Sequence, residues 1–278
     1  MPRTPISVYI IAKNEASRIR RAVESAVHWA DEVIVVDSGS DDETVAIADA
    51  AGARVLFNVW TGYGPQKKFA ELQCRNDWVL NLDADEEITQ QLASEIQSAV
   101  DRASVDQAAF RLKVTDLLPG EQNPKWFAYS YNILRLYDRR HASMSEHAYQ
   151  DRIEVRSGRI GSLRGRILHR SFISWEATVR KINFYTTQVG KQRAEAGRRP
   201  TQLRLWLEFP ATFLKVWIVR RYALRGVMGF SMSVTVAWLN LLRLLKTIEA
   251  GADAAENVGK FDKKGTSASG SVTPSKAA

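Results

Sequence analysis

Short apolar runs alternate with segments of helical periodicity over the first 90 residues. Runs typical of buried strands lie at 6–12, 32–36, 54–57 and 78–82. The segment after the first run carries apolar residues at the spacing of one helix face, at Ile19, Ala22, Val23, Ala26 and Val27. Strands separated by helices of this length predict a parallel sheet with right-handed crossovers. We therefore predict an α/β fold, with a mostly parallel sheet and helices on both of its faces.

Beyond residue 90 the pattern changes twice. A helix is predicted from Thr89 to about Val100, a strand at 109–114 and another helix at 176–195. Residues 203–248 carry a high load of large apolar side chains, which predicts C-terminal apolar helices. Residues 252–278 are rich in Ala, Ser, Gly and Lys, a composition typical of a disordered tail.

Charge is distributed unevenly along the 278 residues, although the net charge of +8 is modest. Residues 1–138 carry 14 basic and 21 acidic side chains, whereas 139–250 carry 21 basic and 7 acidic ones. This split predicts an acidic half and a basic half that faces an anionic partner. The single cysteine, Cys74, excludes an internal disulfide and a cysteine-rich zinc site. The first apolar run is too short for a signal-peptide core, so we expect the protein inside the cell.

Polar side chains follow three of the predicted strands at the point where each strand ends. Asn14 and Glu15 follow the first strand, Asp37 ends the second, and Asp83 and Asp85 end the fourth. Because parallel strands present their carboxyl ends at one edge, we expect a ligand site there. The chain lacks G-x-G-x-x-G and the P-loop motif, which argues against dinucleotide or nucleoside-triphosphate hydrolase chemistry. Two aspartates at i and i+2 instead favour a hard divalent cation bound with a diphosphate. We also expect Asn14 to cap the helix that follows.

Three segments carry a recognisable family pattern: IIAKNEASRIRRAVESAVHWADEVIVVDSGSDDETVAIA, GYGPQKKFA and DWVLNLDADEEIT. Together they resemble family-two glycosyltransferases of the GT-A fold. The chain is similar in particular to bacterial lipopolysaccharide-core β-1,4-glucosyltransferases. The resemblance is dense over residues 6–90 and sparser to about residue 248. It implies a GT-A-type, Rossmann-like sheet with helices on both faces. It also implies an inverting, metal-dependent transfer of a hexose from a UDP-sugar, with glucose as the first candidate for the hexose.

The resemblance also implies roles for individual residues. It places Ala12, Asn14, Glu15, Asp37, Lys67 and Asp83 in the nucleotide-sugar site. It places Asp85, with Asp83 and His169, at a Mg²⁺ or Mn²⁺ ion. Asp151 takes the position of the catalytic base that deprotonates the acceptor, and Glu146 is its local rival. Residue 150 is Gln where the family shows a His before this acidic residue.

The resemblance and the composition together predict how functions are distributed along the chain. Residues 1–200 form the catalytic domain, with a nucleotide-sugar half at 1–100 and an acceptor half at 101–200. Residues 201–250 form membrane-associating helices, and 251–278 form the disordered tail. The predicted acceptor is a lipopolysaccharide-core or other lipid-linked, phosphorylated glycan. Arginines beside apolar helices favour peripheral attachment to an anionic membrane surface, on the cytoplasmic face of the bacterial inner membrane.

Two other functions stay open at this point. A glycosyltransferase that uses polyprenyl phosphate as its acceptor would carry the same donor site. A non-catalytic protein that binds nucleic acid or an anionic surface would explain the basic balance of the chain. Carboxylates at the predicted sheet edge would repel phosphate, however, and no nucleic-acid recognition motif is matched. We therefore expect no nucleic-acid partner.

Overall fold

The computed structural model describes residues 3–147 and 152–265, with side chains described as far as residue 252. The predicted base, Asp151, lies outside the described residues. The chain divides into two compact units, Met1–Phe172 and Ile173–Ala278. The functional division predicted at residue 200 stays a prediction.

The first unit contains ten strands and four helices among its described residues. The strands are β1 (Ile6–Ala12), β2 (Glu32–Asp37), β3 (Arg54–Phe57), β4 (Trp78–Asp83), β5 (Glu86–Ile88), β6 (Gln107–Asp116), β7 (Ser130–Asp138), β8 (Ala142–Met144), β9 (Ile153–Val155) and β10 (Arg159–His169). The helices are α1 (Ile19–Val27), α2 (Thr44–Ala50), α3 (Tyr63–Gln73) and α4 (Gln90–Asp101).

Eight strands form one sheet in the order β3-β2-β1-β4-β7-β6-β10-β5, and β8 pairs with β9 in a second, small sheet. The pairs β3–β2, β2–β1, β1–β4 and β6–β10 are parallel. β7 is antiparallel to both of its neighbours, and β5 is antiparallel to β10. The predicted α/β sheet of the GT-A type is confirmed. β7 lies between the parallel strands β3, β2, β1 and β4 on one side and β6, β10 and β5 on the other.

The core occupies both faces of this sheet. Side chains alternate between the faces along a strand, so Ile10 packs in one apolar cluster while Tyr9 packs in the other. Neither side chain is exposed to solvent. Covering on both faces explains why β1, β2 and β4 read as continuous apolar runs rather than as alternating ones.

One detail of the predicted helix start is wrong. Asn14 does not cap α1, whose N-cap residue is Arg18. Asn14 instead has a left-handed backbone with φ of 56°, a conformation that Asn tolerates better than most residues. Its side-chain Oδ1 accepts a hydrogen bond from the Asp41 backbone N–H at 2.8 Å, and its own N–H donates to Ser40 Oγ at 2.9 Å. Asn14 therefore ties the loop after β1 to the loop after β2.

The second unit is helical throughout its described elements. It contains α5 (Trp175–Glu195), α6 (Gln202–Leu214), a π-helical turn (Lys215–Val219), a 3₁₀ turn (Tyr222–Arg225) and α7 (Gly226–Gly265). α7 therefore includes residues 251–265, where composition predicts disorder; 266–278 lie outside the described residues. The first residues of the tail are rich in alanine, the residue with the highest helix propensity.

Two contacts hold this unit together. Gly190 of α5 meets α7 so closely that an added Cβ would lie 2.9 Å from the Cβ of Lys246. Phe213 and Trp217 pack against Phe230, with ring centroids 5.7 and 5.6 Å away. By length and composition, the segment Tyr222–Ala252 could cross a membrane, and only 22% of its apolar window is buried.

Candidate active site

Three of the predicted site residues lie together because their strands are neighbours in the sheet. In the register of the parallel pairs, Ala12 lies opposite Asp37 and Ile11 lies opposite Asp83. β1, β2 and β4 therefore deliver Ala12, Asp37 and Asp83 to one edge of the sheet. This is the edge at which open α/β sheets bind ligands.

Asp37 is held by the turn that follows it. Its Oδ2 accepts hydrogen bonds from the backbone N–H groups of Gly39 at 2.8 Å and Ser40 at 2.9 Å. Its Oδ1 accepts from the Ser40 hydroxyl. The carboxylate is 4% exposed. Two carboxylate oxygens can accept about four hydrogen bonds, so Asp37 keeps acceptor capacity for a ligand hydroxyl or N–H group.

Asp83 lies in a buried network that we call the Asp83 clamp: Lys67, Asn81, Asp83, Glu86 and Arg135. Lys67 Nζ contacts Asp83 Oδ1 at 2.8 Å, and Arg135 contacts Asp83 Oδ2 at 2.6 Å. Both cations also donate to Asn81 Oδ1, at 3.1 and 2.6 Å. Arg135 reaches Glu86 at 2.8 Å as well. The side chains of Lys67 and Arg135 are 2% and 8% exposed, so these ion pairs are shielded from water.

The two carboxyls of the clamp respond differently to their surroundings. Burial alone would raise the pKa of Asp83, but the charges of Arg135 and Lys67 outweigh it and hold that pKa far below its usual range. Burial raises the pKa of Glu86, and Arg135 only partly opposes it. Asp83 is therefore an ionised carboxylate whose two oxygens already contact cations of the protein.

The contacts of Asp85 with Arg18 and His169 are longer than those of Asp83 with its two cations. Its Oδ2 lies 3.4 Å from Arg18 and 3.4 Å from Nε2 of His169. The other ring nitrogen of His169, Nδ1, hydrogen-bonds to Asp116 Oδ1 at 2.8 Å. Asp116 and His169 end the parallel neighbours β6 and β10, where they lie opposite each other in register. The carboxylate of Asp116 thus orients His169 so that Nε2 faces Asp85.

The carboxylates of Asp116 and Asp85 also determine the charge of His169. Burial lowers the pKa of His169, but its hydrogen bonds to Asp116 and Asp85 raise it more, to about 10. His169 is therefore a cation between two carboxylates when no other cation is bound. A divalent ion at Asp85 would take over that role and leave the imidazole neutral.

Residues 7–171 match the sequence profile of Glycosyl transferase family 2, which is more than half of the chain. A glycosyltransferase of Rickettsia prowazekii (strain Madrid E) is 40% identical over 250 residues, 87% of this chain and 86% of the relative. This chain belongs to Glycosyl transferase family 2. A second family member, the lipopolysaccharide core biosynthesis glycosyltransferase LpsC of Rhizobium meliloti (strain 1021), is 28% identical over 266 residues, 91% of this chain and 95% of that protein.

Among solved structures, the chain is similar to glucosyl-3-phosphoglycerate synthase from Mycobacterium tuberculosis in complex with Mg²⁺ and uridine diphosphate. The identity is 26%, the match covers 43% of this chain and 45% of the other, and the TM-score is 0.34. A likeness at this score adds nothing on ligands to what the family profile shows.

The donor set of this glycosyltransferase suits a divalent ion that is shared with a substrate. The described residues hold no cluster of three His, Cys, Asp or Glu side chains placed to share one ion. Asp85 and His169 supply one carboxylate oxygen and one ring nitrogen that face each other, while the two oxygens of Asp83 contact Lys67 and Arg135. Mg²⁺ is commonly held by one or two carboxylates together with substrate phosphates, so a pair of ligands is sufficient. Asp116 supplies the hydrogen bond that a metal-binding histidine usually makes.

The remaining predicted residues have different surroundings. Glu15 forms an ion pair with Arg18, and its N–H donates to Thr44 at 2.7 Å. Lys67 is buried in the Asp83 clamp, where its ammonium group contacts Asn81 and Asp83. Glu146 is exposed and precedes the undescribed segment that contains Asp151. An added Cβ at Gly64 of α3 would clash with the carbonyl oxygen of His147, so the backbone before that segment packs tightly on α3.

Sequence reasoning missed Arg18, Asp116 and Arg135. Arg135 occupies an apolar stretch of β7, and its burial depends on the pairing of β7 with β4, which no local pattern reveals. Asp116 ends β6 as Asp37 ends β2, so the rule that polar residues at strand ends form the site would have found it. Arg18 lies one helical turn from Glu15, and nothing local distinguishes it from an ordinary surface arginine.

Proposed function

We propose that the protein is an inverting glycosyltransferase that moves a hexose from a UDP-sugar to a lipopolysaccharide-core or other lipid-linked, phosphorylated glycan. Glucose is the first candidate for the hexose. The observation that carries the proposal is the pairing of Asp85 with His169 beside the Asp83 clamp, at the carboxyl ends of β1, β2 and β4. The name of the LpsC relative supports the class of acceptor. Membership of the glycosyltransferase family supports the nucleotide-sugar donor.

The donor end of the site would work through fixed charges. Asp85 and His169 would hold Mg²⁺ or Mn²⁺, and such an ion would neutralise the negative charge that develops on the departing diphosphate. Asp37 would accept hydrogen bonds from the uracil or the ribose. The Asp83 clamp would keep the strand end rigid, because one buried cation holds each oxygen of Asp83 in place. Lys67 would therefore act on the donor through Asp83.

The acceptor end needs one carboxylate. In an inverting transfer, an acceptor hydroxyl oxygen forms a bond to the anomeric carbon while the bond from that carbon to the diphosphate oxygen breaks. The hydroxyl proton passes to a general base. The resemblance assigns this base to Asp151, with Glu146 as the rival. Ser145 and His147, which precede Asp151 in the chain, pack tightly on Gly64 of α3.

The helical unit would bring the enzyme to its acceptor. Large apolar side chains on α6 and α7 are exposed, and the unit is strongly basic, which supports peripheral attachment to the cytoplasmic face of the bacterial inner membrane. We expect high salt or alkaline carbonate to release most of the protein from isolated membranes. Retention after both treatments would instead show that the segment Tyr222–Ala252 spans the membrane.

Asp85→Ala tests the donor site. We expect loss of transfer and of Mn²⁺-dependent binding of UDP-glucose, with the cooperative unfolding transition retained. Asp49→Ala, which removes an exposed carboxylate of α2, should change neither binding nor transfer. Binding is measured by thermal shift against a panel of UDP-sugars with and without Mn²⁺. Unchanged metal-dependent affinity in Asp85→Ala would refute the assignment.

Asp151→Asn tests the base. The amide keeps the size of the side chain and removes its proton affinity, so we expect donor binding to survive and turnover to fall by about 10²–10⁴-fold. Glu146→Gln is the matched control and should have much less effect. Kinetics at saturating donor decide between them. Near-normal turnover in Asp151→Asn, together with collapse in Glu146→Gln, would move the base to Glu146.

A further inference from the structure

Three arginines converge in the helical unit. Arg193 lies in the last turn of α5, one helical turn after Gly190, and Arg243 lies one turn before Lys246 on α7. Because Gly190 packs directly on Lys246, both arginines flank the same helix contact. We call Arg193, Arg204 and Arg243 the arginine cluster.

Arg204 reaches the cluster from α6. α6 and α7 are joined by two short turns and pack where Phe213 meets Phe230, so the chain doubles back and α6 runs antiparallel to α7. The start of α6, where Arg204 lies, is therefore beside the later part of α7. The electrostatic consequence is visible at Arg193: burial lowers its pKa, and the charges of Arg243, Arg204 and Arg198 lower it further.

The positive charge of this cluster is incompletely balanced. Residues 173–250 carry 13 basic and 4 acidic side chains. Two of those acidic side chains already pair: Glu176 contacts Arg180 at 3.0 Å, and Glu208 contacts Arg204 at 3.3 Å. Within the part of the chain that the structure describes, the buried Nε of Arg243 has no hydrogen-bond partner. A buried polar group without a partner is unfavourable, and more so when it is charged, so an anion beside the guanidinium would offset part of this uncompensated charge.

The chemistry of the cluster favours phosphate. A guanidinium presents parallel N–H groups that match two phosphate oxygens. An anion bound between several arginines also offsets the repulsion between them. The surroundings favour a phosphate that is carried by a lipid. On α6, Leu203 and Trp206 are 69% and 81% exposed, and on α7 Trp238 is 47% exposed. Arginines among exposed tryptophan and leucine side chains are typical of a surface at the headgroup level of an anionic bilayer.

We propose that Arg193, Arg204 and Arg243 form a binding site for the phosphate group of an anionic lipid. The inference rests on the membrane attachment proposed above and makes it specific, because it names the headgroup chemistry and the side chains that contact it. Lipid binding requires neither a donor nor transfer. Failure of this inference would therefore leave the proposed glycosyl transfer untouched, and failure of the transfer assay would leave this inference untouched.

The test compares full-length variants on phosphatidylcholine vesicles with and without phosphatidic acid. Arg243→Gln should weaken binding to the phosphatidic acid vesicles by about 10–100-fold, the value of a charge-assisted hydrogen bond. Arg180→Gln is the matched control. It removes the same charge from α5 at a position that pairs with Glu176, and it should weaken binding about fivefold or less, as for any surface cation. Equal losses in the two variants would overturn the site.

A second arm separates a lipid phosphate from a free one. Inorganic phosphate is added to the wild type and to Arg243→Gln at an ionic strength matched with chloride, and unfolding is followed by thermal shift. We expect at most a small rise in the unfolding temperature of the wild type, because free phosphate lacks the apolar contacts. A large rise in the unfolding temperature of the wild type alone, with vesicle binding equal in both proteins, would show that the site binds free phosphate rather than a lipid, and would overturn the proposal.

Discussion

Charged side chains cluster in both units of the molecule, but the two clusters differ in how far opposite charges balance them. In the first unit, the partly buried Asp83 and the buried Glu86 share Arg135, and Lys67 completes the set. Among the described residues of the second unit, Glu208 is the one carboxylate that pairs with the arginine cluster, and Nε of Arg243 has no hydrogen-bond partner there. The first arrangement is internally balanced, and the second is not.

This difference indicates what each cluster is for. A buried charge is tolerated when partners compensate it within the fold, and such a network holds its members in one geometry. That is the requirement of a donor site whose Asp85 and His169 must be placed accurately. A cluster of like charge lowers stability until an opposite charge arrives, so it is suited to a partner that comes from outside.

Arg135→Met should have the largest effect on stability. Methionine fills a similar volume but removes the cation that Asp83 and Glu86 share. Asp83 would keep its contact with Lys67, whereas the buried Glu86 would lose its ion pair with Arg135. Removal of one member of a buried ion network typically costs about 3–5 kcal/mol. We expect a loss of this size in urea unfolding at neutral pH, with faster hydrogen exchange in β4 and β7.

Arg20→Met is the control for that experiment. Arg20 pairs with Glu24 on the exposed surface of α1, so its loss should cost no more than about 0.5 kcal/mol. Similar losses in Arg20→Met and Arg135→Met would show that the Asp83 clamp is not a buried, balanced network.

Gly190→Ala should have the next largest effect, in the second unit. The new Cβ would meet the backbone of Lys246, whose carbonyl carbon would lie 3.0 Å away, so α5 and α7 would have to move apart. Overpacking of this kind typically costs about 1–3 kcal/mol. We expect a lower unfolding midpoint and weaker binding to phosphatidic acid vesicles, because Arg193 and Arg243 flank this contact.

Gly251→Ala is the matched control on α7. A Cβ at Gly251 meets nothing within 4 Å, so alanine should stabilise the helix by about 0.5–1 kcal/mol. Equal effects of the two substitutions would show that the approach of α5 to α7 does not constrain the arginine cluster.

Glu32→Gln tests a compensated carboxylate of the first unit through its pH dependence. Burial raises the pKa of Glu32, but hydrogen bonds from the Arg75 backbone, Arg54 and Ser7 outweigh it and lower the pKa below the ordinary 4.5. A carboxyl with a lowered folded pKa stabilises the fold above its ordinary pKa and loses that contribution as the pH falls through the folded value. Wild type should therefore exceed Glu32→Gln by about 1–2 kcal/mol at pH 7.

The same difference in unfolding free energy should shrink once the pH falls below about 4.5, where the unfolded carboxyl binds a proton. Glu24→Gln, at an exposed position of α1, should show a difference of a few tenths of a kcal/mol at every pH. A difference for Glu32→Gln that does not change between pH 7 and pH 3 would refute the role of the charge.

The sequence was sufficient for the elements that depend on local pattern. The strands at 6–12, 32–37, 54–57 and 78–83 and the helices between them follow from continuous apolar runs and helical spacing. The placement of Asp37 and Asp83 at one edge follows from the parallel order. β7 and β10 were not predicted, because their burial is partial and their partners are distant along the chain. Arg135 lies on β7, whose pairing with β4 only the fold reveals, whereas Asp116 ends a strand that was predicted and could have been found by the strand-end rule.

The smallest expected effect is also the sharpest test of the contrast between the units. Arg193→Gln removes a cation that other cations surround, so stability in low salt should stay unchanged or rise, whereas every loss from the Asp83 clamp should lower it. Urea unfolding in dilute buffer and in about 1 M NaCl checks this, since salt at that concentration shortens the screening length to about 3 Å and should remove any gain. Arg180→Gln, which loses its pair with Glu176, should cost about 0.3–0.5 kcal/mol in dilute buffer. A loss of about 1 kcal/mol or more in Arg193→Gln would mean that the arginine is compensated within the fold, and the two clusters would then follow the same rule.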